Sequence, residues 1–254
     1  MIKILLIVLI IIIIMIPVII LLIKKHSDKS NGWDDLDHDL DEWYSIQNGV
    51  MPDVSYIING NPDGSKNMTR WPSAHKLCSL LGDRLGFECK HLPAKFVTDD
   101  DYIKECGDHT DNNKEDKYIR GCAYAHINAF EQIVKNNKPA IIFEDDIALG
   151  DVSIDTTAKH FKKYIEKHCK DVDIGYIGHC FVDKCLHAYY LSVDGARKLL
   201  ELTEPCKLNA IDLQIADLCN SKKLKCSYAK KNFRNKGTWA EGILKQIAEQ
   251  SVYH

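Results

Sequence analysis

The hydrophobic pattern along the chain opens with one long block and then settles into alternation. Residues 4–23 are uncharged and apolar, broken only by Pro17, and a helix of that length spans a hydrocarbon core of ~30 Å. From about residue 50 short apolar runs take over. Val54-Ser55-Tyr56-Ile57-Ile58 predicts a strand, and Asn59-Gly60-Asn61-Pro62-Asp63-Gly64 is dense in turn residues. Trp71, Ala74, Cys78 and Leu81 recur at helical spacing, and a short strand is expected over 87–92. Residues 98–117 are charged and poor in aliphatics, which predicts a surface excursion. Ala123, Ile127, Phe130 and Val134 mark one face of an amphipathic helix over 121–137, Pro139 ends it, and a strand follows at 140–143. Ala158, Phe161 and Ile165 predict another helix, and 172–178 and 187–191 read as strands. Ser192 is placed to cap a helix carrying Ala196, Leu199 and Leu200. Ile211, Ile215 and Leu218 outline one more helix, and a last strand is expected at 226–229. Strands alternating with helices predict a single α/β domain with a largely parallel sheet, its ligand beyond the carboxyl ends of the strands.

The flanks of the first block divide the chain into three parts. Lys3 precedes it and Lys24-Lys25-His26-Ser27 follows without small residues suited to cleavage, so 1–25 is expected to be an uncleaved membrane anchor rather than a signal peptide. The basic residues nearly balance across the span and give the positive-inside rule little to act on. Residues 26–50 are polar and acidic, and Asp34-Asp35-Leu36-Asp37-His38-Asp39-Leu40-Asp41-Glu42 lacks the glycine and terminal acid of a calcium loop. That stretch reads as a stem, and 51–254 as the catalytic domain.

Composition sharpens this in two places. A chain of 254 residues with 45% hydrophobic and 27% charged residues can fill a real core, and a net charge of -3 argues against a nucleic-acid partner. Ten cysteines suit an oxidising compartment. Cys180 with Cys185 and Cys219 with Cys226 are close enough in sequence for local bridges, buried free thiols being the alternative, and the absence of a Cys-x-x-Cys pair argues against a zinc ribbon. Asn67-Met68-Thr69 is an N-glycosylation sequon with Asn67 as acceptor. Together the cysteines and the sequon favour a lumenal or extracytoplasmic catalytic domain in a single-pass type II orientation.

The chemistry concentrates at Ile141-Ile142-Phe143-Glu144-Asp145-Asp146, where an apolar strand runs into three adjacent carboxylates. Buried acids are costly without a compensating positive charge, and a divalent metal carrying a phosphate is a common one. A solvated strand-end loop is the competing reading for the triplet alone.

Several segments together resemble glycosyltransferase family 25, which includes lipopolysaccharide and procollagen galactosyltransferases. Gly121-Cys122-Ala123-Tyr124-Ala125-His126, the helix behind it, and the strand ending in Glu144-Asp145-Asp146 are similar to that family's Gly-Cys block and acidic motif. Val172-Asp173-Ile174-Gly175-Tyr176-Ile177-Gly178, Ala188-Tyr189-Tyr190-Leu191-Ser192-Val193-Asp194-Gly195-Ala196 and Ala210-Ile211-Asp212 follow in the family's order. The resemblance implies a GT-A-like domain that moves a sugar, galactose first, from a UDP-sugar to a hydroxyl on a glycan, lipid-linked or protein acceptor, with inversion. It also implies Mn²⁺, or Mg²⁺, held by Asp146 and Asp145, since hard oxygen ligands suit either ion.

By the same resemblance Glu144 contacts the ribose or orients the site. His126, read as lying at a helix start where N–H groups favour anions, contacts a phosphate or an acid of the triplet, or is a structural residue. His187 is a candidate metal or diphosphate contact. Asp212 is the candidate base that accepts the acceptor's proton, a helix cap being its bland alternative, and Asp173 is its competitor. Lys66 and Arg70 are the basic residues available for the nucleotide. Gly60 and Ala125 depart from the family pattern, so a relative without turnover, acting as a membrane-anchored binding module, is the alternative. A metal-dependent phosphohydrolase is a more distant one.

Overall fold

The computed structural model describes residues 51–58, 69–93, 114–149, 152–180, 184–204, 210–229 and 240–246. The apolar run 4–23, the acidic stem, Gly60, Lys66 and Asn67 lie outside the described residues. Among the described residues no helix is long and apolar enough to cross a membrane.

The elements run β1 (Val54–Ile58), α1 (Trp71–Leu85), β2 (Glu88–Leu92), α2 (Lys114–Asn136), β3 (Ala140–Glu144), β4 (Ile147–Leu149), α3 (Ile154–His168), β5 (Ile174–Cys180), β6 (Lys184–Leu191), α4 (Val193–Leu202), α5 (Ile211–Asn220), β7 (Cys226–Tyr228), β8 (Ala240–Gly242) and β9 (Leu244–Gln246). The main sheet has the order β2-β1-β3-β6-β5-β7, with β8 pairing β5. Strand β6 runs antiparallel to β3 and β5, and β8 antiparallel to β5; the remaining pairings are parallel. Most strands therefore point one way, as the alternating pattern predicts. A separate two-stranded ribbon joins β4 to β9.

Helices cover both faces of this sheet. On one side α2, α4 and α5 pack Phe130, Ile133, Leu199 and Ile215 against Ile142, Tyr176 and Tyr189. On the other α1 and α3 pack Leu81 and Phe161 against Ile141, Phe143 and Ile177. A strand covered on both faces needs apolar residues at every position, which is why Ala140-Ile141-Ile142-Phe143 has no polar alternation. Each of the larger side chains contributes about 1.5–3 kcal/mol by leaving water.

Local chemistry sets the element ends. Asn137 adopts φ 51° after α2, a left-handed stop that asparagine tolerates, and Pro139 follows. Ser192 caps α4 by accepting from the Gly195 amide at 3.0 Å, as its position predicts. The start of α2 differs from expectation. It begins at Lys114 rather than near Gly121, because Lys114-Glu115-Asp116-Lys117 is rich in good helix formers yet carries no apolar period that would show it.

Two disulfides pin this layout. Cys219–Cys226 ties the end of α5 to β7, as the spacing allows. Cys78–Cys89 ties α1 to β2 and was not anticipated. Cys185 is also disulfide-bonded. Among the described residues Cys122 and Cys169 are free thiols.

Candidate functional site

The acidic triplet sits where the main sheet hands over to the β4–β9 ribbon. Glu144 is the last residue of β3, Asp145 and Asp146 form the turn, and Ile147 starts β4. Both aspartates are buried, and the solvated strand-end loop is thereby set aside. Arg70, just before α1, brings Nη1 to 3.5 Å from Asp145 Oδ1. Burial still pushes Asp145 up to about 6, with Arg70 opposing and Asp146 adding to the rise.

A second group closes on Glu144 from α2. The His126 ring is fully buried, with Nε2 3.1 Å from Glu144 Oε1 and Nδ1 2.7 Å from the Tyr189 hydroxyl on β6. Burial lowers His126 to about 4, against the pull of Asp212. Burial raises Glu144 to about 8, helped by Asp212 and Asp145 and opposed by Arg70. Near neutral pH the contact is thus a hydrogen bond between neutral groups rather than an ion pair. Cys122 lies one helical turn before His126, and its thiol is held neutral by burial and by the surrounding carboxylates, Glu144 first and Asp212 next. The ligating atoms of Cys122, His126 and Glu144 all lie within 4.8 Å of one another.

Asp212, on α5, acts on the same group through its charge. Its Oδ2 accepts from the Cys185 amide at 3.0 Å and its Oδ1 from the Leu213 amide at 2.9 Å. It does not cap the helix, because Ala210 occupies the cap position.

This arrangement puts carboxylates, an imidazole and a guanidinium at the carboxyl end of a central strand, with the acidic motif and the Gly-Cys block in contact. Residues 117–175 match the model of glycosyltransferase family 25 (LPS biosynthesis protein). The match covers α2 through the start of β5, and so contains Cys122, His126 and the whole triplet. It implies glycosyltransferase activity. No curated protein matches the chain.

The other family 25 expectations divide. His126 lies in the middle of α2, so no free helix-terminal N–H groups surround it; what it holds is Glu144. Asp173 precedes β5, and Ile174 and Ala140 both align with Leu191, which puts Asp173 at the opposite end of the sheet from Glu144. There it accepts from Lys198 Nζ at 2.7 Å and from the Lys225 amide at 2.8 Å. The fully buried ring of His187 donates from Nε2 to the Leu244 carbonyl at 3.2 Å and lies against Gly178, where an added Cβ would come within 2.5 Å of it. Ala125 is packed in the core beneath α2.

Sequence reasoning missed two members of the site. Cys122 was readable from its spacing of four from His126, which places both on one helix face. Tyr189 stands only within a family block in the sequence; its partner is 63 residues away, and only the packing of α2 against the sheet brings them together.

Proposed function

We propose that the chain transfers a sugar, galactose first, from a UDP-sugar to a hydroxyl of a glycan, lipid-linked or protein acceptor, inverting the anomeric carbon in a GT-A-like domain. The observation that carries this reading is the pair of adjacent buried carboxylates, Asp145 and Asp146, at the end of β3 with Arg70 beside them.

That donor set fits a hard dication: its oxygens are adjacent, buried and matched by a guanidinium alone among the contacts described above. Asp146 and Asp145 would hold Mn²⁺ or Mg²⁺. Such an ion supplies Lewis-acid neutralisation of the diphosphate leaving group when bound. The remaining steps belong to the chain's own residues. Arg70 adds positive charge toward the diphosphate, with Lys66 a candidate partner. Glu144, kept protonated by burial and fixed by His126, offers a hydrogen bond to a ribose hydroxyl. His187 acts through the Gly178–Leu244 packing rather than as a ligand. Asp212 is held by the Cys185 amide and accepts the acceptor's proton as its oxygen attacks; Asp173 is already engaged by Lys198 and Lys225. An anchor at 4–23 and a glycan on Asn67 in a lumenal or extracytoplasmic domain complete the proposal.

The test is a panel of UDP-sugars incubated with the full chain and Mn²⁺, read as UDP release. The expected result is hydrolysis of one preferred donor, abolished by a chelator and restored by metal. A folded chain that releases UDP from no donor, with and without acceptor sugars, overturns the proposal.

A further inference from the structure

The group on α2 has a donor set of a different kind from the aspartate pair. Cys122 and His126 are four apart on one helix and so project from the same face. Glu144 closes the third corner from β3, and one ligating atom from each lies within 4.8 Å of the other two. Sulfur, imidazole nitrogen and carboxylate oxygen at that spacing are the ligands of a tetrahedral, borderline-soft cation. Hard cations prefer all-oxygen cages.

The surroundings supply what such a site needs around its ligands. A metal-binding imidazole is usually oriented by a hydrogen bond to its other nitrogen. Here the Tyr189 hydroxyl, 2.7 Å away, occupies His126 Nδ1 and leaves Nε2 turned toward Glu144. The ring also stacks on Tyr189, with centroids 5.7 Å apart, so its plane is fixed. The carboxylates of Asp212, Asp146 and Asp145 act on Cys122, and the field they make favours a dication at that point; Glu144 adds its charge once it has given up its proton. Cys122 is a free thiol, and the Glu144 side chain is 21% exposed, which gives an ion a route in.

The geometry points to a thiolate–imidazole–carboxylate site for one zinc-class divalent cation at Cys122, His126 and Glu144, separate from the hard-oxygen pair Asp145 and Asp146. On binding, the Cys122 thiol and the Glu144 carboxyl each give a proton to solvent, and the cation takes the place of the hydrogen bond between His126 and Glu144. Three protein ligands leave a fourth position open to water. Occupation ties Glu144 to the ion, so the site acts as a brake on whatever Glu144 does when free. The inference rests on the three ligands alone and stands whether or not the chain transfers a sugar.

Cobalt(II) titration of the purified full chain tests this, because a thiolate bonded to cobalt gives a charge-transfer absorption that oxygen and nitrogen ligands do not. The expected result is that band, displaced by zinc, retained in Cys169→Ser and lost in Cys122→Ser. Zinc-edge X-ray absorption on the unaltered chain provides a reading that needs no variant. It should show a single sulfur at about 2.3 Å with nitrogen and oxygen for the rest. No band and no sulfur scatterer in the unaltered chain, or a band that survives Cys122→Ser, overturns the site.

Discussion

His126 Nε2 lies 3.1 Å from Glu144 Oε1 inside the core edge, and burial keeps both groups neutral near pH 7. Glu144 is raised from 4.5 to about 8, so across that range the folded chain holds a proton that the unfolded chain has released. By linkage its contribution to stability falls as pH climbs from about 4.5 to about 8. His126, lowered from 6.5 to about 4, has the opposite sign: stability rises as pH climbs through that lower window. In Glu144→Gln only the first effect disappears. With chelator present, the variant should gain thermal stability relative to the parent as pH rises from about 5 to about 9. Parallel melting curves across that range would contradict the neutral pairing.

Arg70 is the cation in the described site that faces Asp145. Hydrogen bonds to charged groups contribute about 1.5–3 kcal/mol, so Arg70→Ala should weaken UDP binding at least about tenfold. Calorimetry with UDP and Mn²⁺ measures it, and Arg70→Lys should recover part of the loss, since lysine keeps the charge but not the fork. Unchanged affinity in Arg70→Ala would remove Arg70 from the donor site.

Asp212 and Asp173 should separate cleanly by assay. Asp212→Asn keeps an acceptor for the Cys185 amide but cannot take a proton. Its kcat should fall about 10²–10⁴-fold with KM little altered. Asp173→Ala leaves the Lys225 amide and Lys198 without their carboxylate and should lower stability by about 1–3 kcal/mol while sparing kcat. The reverse pattern, measured by steady-state kinetics and thermal unfolding, would exchange their roles.

Gly195, in the first turn of α4, approaches the chain before β5 so closely that an added Cβ would lie 2.3 Å from the Asp173 carbonyl oxygen. That is backbone, which cannot swing aside. Gly195→Ala should therefore cost about 1–3 kcal/mol, seen as a lowered urea midpoint at unchanged slope. A neutral result would mean that α4 can shift on the sheet.

Much of the fold was legible because its rules are local. Ile141-Ile142-Phe143 reads as a buried strand because nothing polar interrupts it, and Ser192 reads as a cap because it directly precedes the helical run of Ala196, Leu199 and Leu200. What stayed hidden depends on pairing across distance. Cys78 and Cys89 meet because α1 packs over β1 and β2 pairs with it, which no spacing reveals. The three-residue strands β8 and β9 are too short to show a period. The acidic triplet was visible at once, as were His126 and Asp212, yet the choice between Asp212 and Asp173 needed strand direction, which puts Asp173 at the opposite end of the sheet from Glu144. The position of His126 within α2 was misjudged because the charged turns before Gly121 carry no hydrophobic stripe.

The central claim, that Asp145 and Asp146 hold the metal for a nucleotide-sugar donor, meets its most direct test in calorimetry of UDP with and without Mn²⁺, on the parent chain and on Asp146→Ala. The account predicts UDP binding that requires Mn²⁺ in the parent and is lost in a variant with an unchanged circular dichroism spectrum. UDP binding that ignores the metal, or that persists with its metal dependence in Asp146→Ala, would contradict it.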